Sequence, residues 1–96
     1  MTFIERIKQL RERSQLPQRK IAEVLDIDGA TYCKIERGER RAKREHIPII
    51  AEILQADTEE LLTLWLADQV VEVVEKDKKI SNKVLGIAKQ NISNRI

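Results

Sequence analysis

Apolar residues recur at three- and four-residue spacing along almost the whole chain, and this periodicity constrains the fold before anything else does. Phe3, Ile7 and Leu10 make one stripe, with Ile4 beside it and Arg6, Lys8, Arg11 and Glu12 expected outside it. Strand-like alternation is absent. Only two prolines and three glycines interrupt the pattern, so the chain is expected to be all-α, with five or six helices.

Punctuation sets the helix ends. Thr2 and Glu5 form a capping box for the first helix. "SQLP" breaks the pattern, and Pro17 is tolerated near the first turn of a second helix over "QRKIAEVL", which buries Ile21, Ala22 and Leu25. Asp26 to Asp28 make a tight turn. Asp28 then caps a third helix, "GATYCKIER", with Tyr32 and Ile35 facing inward and Gly38 as its stop. A fourth helix is expected from about Arg44 to Ala56, with Ile47, Ile50, Ala51 and Leu54 inward. Pro48 conflicts with that start, so this helix either begins late or is kinked. Asp57 and Glu60 cap a fifth helix, "TEELLTLWLADQVVEVVE". A last amphipathic segment runs from about Ile80 to Ile92, interrupted by Gly86.

Ninety-six residues suit one small domain, marginal enough in its core for association with a partner to matter. The net charge of +2 hides a strong asymmetry. Residues 1–44 carry 12 Lys/Arg against 7 Asp/Glu, residues 45–75 carry 8 acids and no Lys/Arg, and residues 76–96 carry 6 Lys/Arg against Asp77. A basic face near the start and an acidic, apolar stretch behind it imply two tasks. No apolar run approaches the roughly 18 residues of a membrane helix, and "MTFIERIKQL" lacks the apolar core of a signal peptide, so a cytoplasmic protein is expected. Cys33 is the single cysteine, which excludes an internal disulfide and a zinc knuckle. No nucleophile–base pair, metal cluster or phosphate loop stands out. The expectation is therefore no catalytic residue, no metal, no cofactor and no small-molecule ligand.

Two short helices joined by a tight turn, the second followed by a basic loop, describe a helix-turn-helix. A helix about 10 Å across enters the B-DNA major groove of about 12 Å, and flanking cations neutralise phosphates. The run "LRERSQLPQRKIAEVLDIDGATYCKIERGER…IPIIAEIL" resembles the Cro/CI-type, or XRE, helix-turn-helix family of phage repressors and bacterial regulators. The resemblance covers about residues 2 to 66. It rests on Leu10-Arg11, Gln18, Ile21-Ala22, Ile35-Glu36-Arg37-Gly38, and Ile50-Ala51 with Leu54.

That resemblance implies a five-helix lambda-repressor-like domain over 1–67 and a C-terminal helical extension over 68–96. It implies that Gln18 touches a phosphate or supports the reading helix, and that Gly29, Ala30, Thr31 and Lys34 face the bases. The loop after Gly38 would follow the DNA backbone, which makes Arg37, Arg40, Arg41, Lys43 and Arg44 the phosphate contacts. Small phage-type repressors and restriction–modification controller proteins are similar in size and plainness.

Departures from the family pattern sharpen the expectation. Gln15 and Asp26 stand where the family often has Gly, and Pro17 where it has Ser. Gly29 and Ala30 carry no side-chain hydrogen-bonding group, so Thr31 and Lys34 remain as polar readers. Phosphate contacts and DNA shape should then supply much of the affinity. Lys34 either reads a base or adds one more phosphate contact. Glu36 is expected to pair with a cation and orient the reading helix, and Glu39 to be solvated. Cys33 is read as a small inward residue rather than a redox switch, and His46 as surface or core filler.

The fifth helix is apolar on two sides. Leu61, Leu64, Ala67, Val71 and Val74 make one stripe; Leu62, Trp65, Leu66, Val70 and Val73 make the other. One face completes the core. The other is expected to be a homodimer interface, unless the last segment folds back over it. The competing function is an antitoxin-type module whose residues 61 to 92 grip another protein.

Overall fold

The computed structural model describes residues 1–95 and divides into two compact units, Met1–Leu66 and Ala67–Ile96. Its helices are α1 (Phe3–Arg13), α2 (Gln18–Leu25), α3 (Gly29–Glu36), α4 (His46–Leu54), α5 (Thr58–Val74) and α6 (Ser81–Arg95), with a 3-10 segment at Glu75–Ile80. No strand occurs among the described residues. Among the described residues no helix is long and apolar enough to cross a membrane.

In the first unit α1, α3 and α5 start on a side-chain cap from their own sequence, whereas α2 and α4 have none. The Thr2 hydroxyl accepts from the Glu5 N–H at 3.1 Å, and Glu5 accepts from the Thr2 N–H in return. Asp28 accepts from the Thr31 N–H at 2.6 Å, and Asp57 from the Glu60 N–H at 3.2 Å. The α4 start resolves the proline conflict. The helix begins at His46, so Pro48 is its third residue, where no intrahelical donor is needed, and no kink is required.

The helix ends share one device. After α3, the Glu39 N–H reaches the Lys34 carbonyl and the Gly38 N–H the Ile35 carbonyl, with Gly38 at φ 78°. This pair of bonds satisfies two otherwise orphaned carbonyls. The same closure ends α1, α2 and α4, but Gln15, Asp26 and Gln55 take the left-handed conformation there, at φ 55–57°. Each bears a Cβ penalty that glycine avoids.

The core gathers one stripe from each of these helices: Phe3 and Ile7 from α1, Ile21 from α2, Tyr32 and Ile35 from α3, Ile47 and Ile50 from α4, and Leu61 from α5, all buried. His46 is buried as well, and its Nδ1 accepts from the Lys43 N–H at 3.4 Å. Burying each such large side chain contributes about 1.5–3 kcal/mol. One residue departs from the periodic reading. Arg11, expected outside, is half-buried, because its guanidinium finds an acid on α3.

In the second unit no described residue is buried. The sequence places an interruption at Gly86, but α6 runs through that glycine, whose cost of about 1 kcal/mol a 15-residue helix can absorb. The break falls instead at Asp77, with non-helical φ −122° and ψ 50°. Nor does the last segment cover α5: Val70 and Val73 of one stripe remain exposed, Val73 to 76%, and so does Val71 of the other.

Candidate nucleic-acid interface

The turn between α2 and α3 is made by Asp26 in left-handed conformation, and the Ile27 N–H closes onto the Ala22 carbonyl at 3.1 Å. Ile27 packs partly against the core, so Asp28 arrives in position to cap α3. The Thr31 N–H and then its hydroxyl hold the Asp28 carboxyl below the usual range, as an N-cap carboxylate should be held.

One face of α3 is fixed inside the domain and the other is open. Tyr32, Ile35 and Glu36 are buried. Gly29, Ala30 and Lys34 are exposed, Thr31 is half-buried, and the space around Gly29 is empty to at least 4 Å from where a Cβ would stand. Within the first unit nothing therefore obstructs a close approach to Gly29 at the start of α3.

A polar clamp sets the angle of that helix. The Arg11 Nε and Nη2 donate to the two oxygens of Glu36 at 2.7 and 3.0 Å, and Nη1 donates to the Leu16 carbonyl at 3.0 Å. Gln18 donates to Glu36 at 3.0 Å and accepts from the Cys33 thiol at 2.8 Å. Residues of α1, α2 and α3 thus meet at one carboxylate, whose side chain is only 2% exposed. Burial works against its ionisation, but Arg11, then Tyr32 and Gln18, outweigh burial and hold Glu36 below the ordinary carboxylate range. The Tyr32 hydroxyl is buried and has no partner that meets full hydrogen-bond geometry. Its own phenol is held well above the ordinary range, first by burial and then by Glu36.

Between Arg37 and Glu45 the chain has no regular structure, yet its backbone is held. Ala42 is buried, and the Trp65 indole donates to its carbonyl at 2.9 Å. Ala42 is the apolar residue between Arg40-Arg41 and Lys43-Arg44, all of which are exposed. The anchor leaves these four cations at the surface on both sides of it. Arg37 is exposed too and pairs with Glu39 at 2.5 Å, an exposed pair of the kind that contributes at most about 1 kcal/mol.

The candidate residues fall into groups. Gly29, Ala30, Thr31 and Lys34 lie together on α3, and Arg37, Arg40, Arg41, Lys43 and Arg44 follow on one short loop. The Gln18 side chain is engaged with Glu36 and Cys33 inside the domain. The stripe assigned to an interface is divided: Leu62 and Trp65 pack against the core of the first unit, whereas Leu66, Val70 and Val73 stay exposed. Sequence reading missed Arg11 and Ala42. For Ala42 a signal existed, a lone apolar residue inside "ERRAKR". For Arg11 the available signal was on its partner: Glu36 stands four residues after Tyr32, on the inward stripe.

These features define a class: an all-α helix-turn-helix protein with a helical C-terminal extension. Residues 3–64 match the family described as "Helix-turn-helix domain", and the chain belongs to that family. The match is consistent with the XRE type, and a helix-turn-helix domain implies DNA binding. Searches of curated proteins and of solved structures give no match.

Proposed function

We propose that this protein is a transcriptional regulator that binds a pseudo-palindromic DNA operator as a homodimer in the cytoplasm. The observation that carries the proposal is the open N-terminal end of α3 beside a basic loop whose backbone is pinned at Ala42. Two such helices, one per subunit, would enter successive major grooves about 34 Å apart. Lys34 donates to guanine O6 or N7 and Thr31 to a neighbouring base edge, while Ala30 meets a thymine methyl. Arg37, Arg40, Arg41, Lys43 and Arg44 hold phosphates. Gln18 steadies Glu36 with its side chain and meets a phosphate through its backbone N–H at the start of α2. Leu66, Val70 and Val73 belong to the dimer surface, and Leu62 and Trp65 back it from the core side. A restriction–modification controller is the particular role that this size and plainness fit.

Selection of bound sequences from a random DNA pool tests the proposal. A two-fold-symmetric motif of modest stringency is expected; recovery of no motif, at low salt and with folded protein, refutes it.

A second reading draws on the exposed apolar residues of the second unit. In an antitoxin-type protein these would grip a different protein, with DNA binding as autoregulation. The mass of the protein in solution separates the two: self-association supports the regulator, and a monomer that associates only with a second protein supports the antitoxin.

A further inference from the structure

One peptide unit of the basic loop is held at both of its polar ends. The Ala42 carbonyl accepts from the Trp65 indole at 2.9 Å, and the N–H of that same peptide, on Lys43, donates to the His46 Nδ1 at 3.4 Å. The two side chains come from different helices, Trp65 from α5 and His46 from α4. His46 is only 9% exposed, and its backbone N–H donates to the Lys43 carbonyl at 3.0 Å, so the second pin is itself tied to the loop.

A peptide unit is planar and does not rotate internally. Fixing its C=O from one helix and its N–H from another therefore fixes the orientation of the plane against the body of the first unit. Arg40-Arg41 leave on one side of this plane and Lys43-Arg44 on the other, and all four side chains are exposed. Neither pin uses a charged group of the loop. The Ala42 methyl, buried at 3% exposure, adds an apolar anchor at the same point.

We infer that Trp65 and His46 are positioning residues for the DNA backbone contact: they hold the 42–43 peptide so that the flanking cations meet phosphates from a loop ordered before DNA arrives. Ordering a loop of exposed cations costs conformational entropy, and here that cost falls on folding rather than on binding. Without a pin, DNA can still impose the same loop geometry. The phosphate contacts and the salt slope are then kept, and affinity falls by the net worth of one hydrogen bond, about two- to tenfold. Charge removal differs, because it lowers the slope as well. The proposal rests on the DNA-binding reading above and adds to it two uncharged residues, one of them the single tryptophan of the chain.

The test uses the full chain and fluorescence anisotropy with two labelled duplexes, one A·T-rich and one G·C-rich, over a range of salt. Trp65→Phe keeps an aromatic ring and removes the donor. His46→Leu removes the acceptor, and His46→Asn keeps an acceptor oxygen close to the Nδ1 position. Trp65→Phe and His46→Leu should each weaken binding to both duplexes by the same two- to tenfold factor, with the natural salt slope and natural helix content by circular dichroism. His46→Asn should bind within twofold of the natural chain. Natural affinity in folded Trp65→Phe, or a loss that comes with a lower salt slope, overturns the pin. If the natural chain binds neither duplex at low salt, the DNA-binding reading falls and takes the pin with it. Should Trp65→Phe fail to fold, the His46 pair decides: equal affinities in His46→Leu and His46→Asn overturn the proposal.

Discussion

Removing the carboxylate at the centre of the clamp, Glu36→Ala, should destabilise the protein far more than any charge change in the basic loop. Glu36 is 2% exposed and Arg11 14%. The substitution takes away both Arg11–Glu36 bonds and the Gln18 bond, and strands the guanidinium with only the Leu16 carbonyl. Breaking a buried pair from one side costs about 3–5 kcal/mol. The low end applies here, because Arg11 keeps some exposure to water. Against a total stability of roughly 5–14 kcal/mol for 96 residues, that is a large share. It corresponds to a fall in Tm of roughly 12–24 °C, since each kcal/mol moves a domain this small by about 4–8 °C. Thermal and urea unfolding followed by circular dichroism read it directly. Arg11→Met/Glu36→Leu should recover most of the loss, because no charge is then left buried. The sign of the pH dependence follows from the same site. A carboxyl held below its ordinary value lends stability above about pH 4.5, and that stability is lost as pH falls through the lower, folded-state value. Glu36→Gln should therefore flatten the acid limb of the stability curve. A loss under 1 kcal/mol in Glu36→Ala, or single losses that merely add in the double variant, would refute the clamp.

Three further outcomes are expected. Arg40→Ala/Arg41→Ala/Arg44→Ala should weaken binding to every DNA sequence and reduce the slope of log affinity against log salt by about 0.9 for each phosphate that is no longer neutralised; unchanged affinity in a fluorescence anisotropy titration would sink the phosphate assignment. Lys34→Ala should lose about 1–3 kcal/mol of discrimination at one or two base positions, and the same motif with the same stringency in a selection would show that Lys34 is not a reader. Gln55→Gly, at φ 55°, should raise stability by about 0.5–1 kcal/mol, because glycine has no Cβ to strain in left-handed backbone; a loss in urea unfolding would mean that the Gln55 side chain matters more than its backbone.

Much of the first unit was legible because its determinants are local. The capping pairs Thr2/Glu5 and Asp57/Glu60 span three residues, as does the Asp28–Thr31 cap, and the inward stripes repeat every three or four. Hydrogen bonds and steric limits at that range act within one helical turn, so composition and spacing decide them. The helix-turn-helix pattern and the candidate reading face followed from this local order. Pro48 shows its limit, since spacing allowed either a late start or a kink and the structure chose the late start.

What only the tertiary structure decided lies across the chain. Arg11 and Glu36 are 25 residues apart, and Trp65 and Ala42 are 23 apart. Arg11 has the chemistry of a surface residue, and its burial depends on an acid delivered by another helix. The two stripes of α5 were equally apolar on paper. Packing turned Leu61, Leu62, Leu64 and Trp65 to the core and left Leu66, Val70 and Val73 outside. Periodicity states that a helix has an apolar side. Here both stripes are covered as far as Trp65 and open beyond it, because how much of a helix is covered depends on what the rest of the chain brings to it.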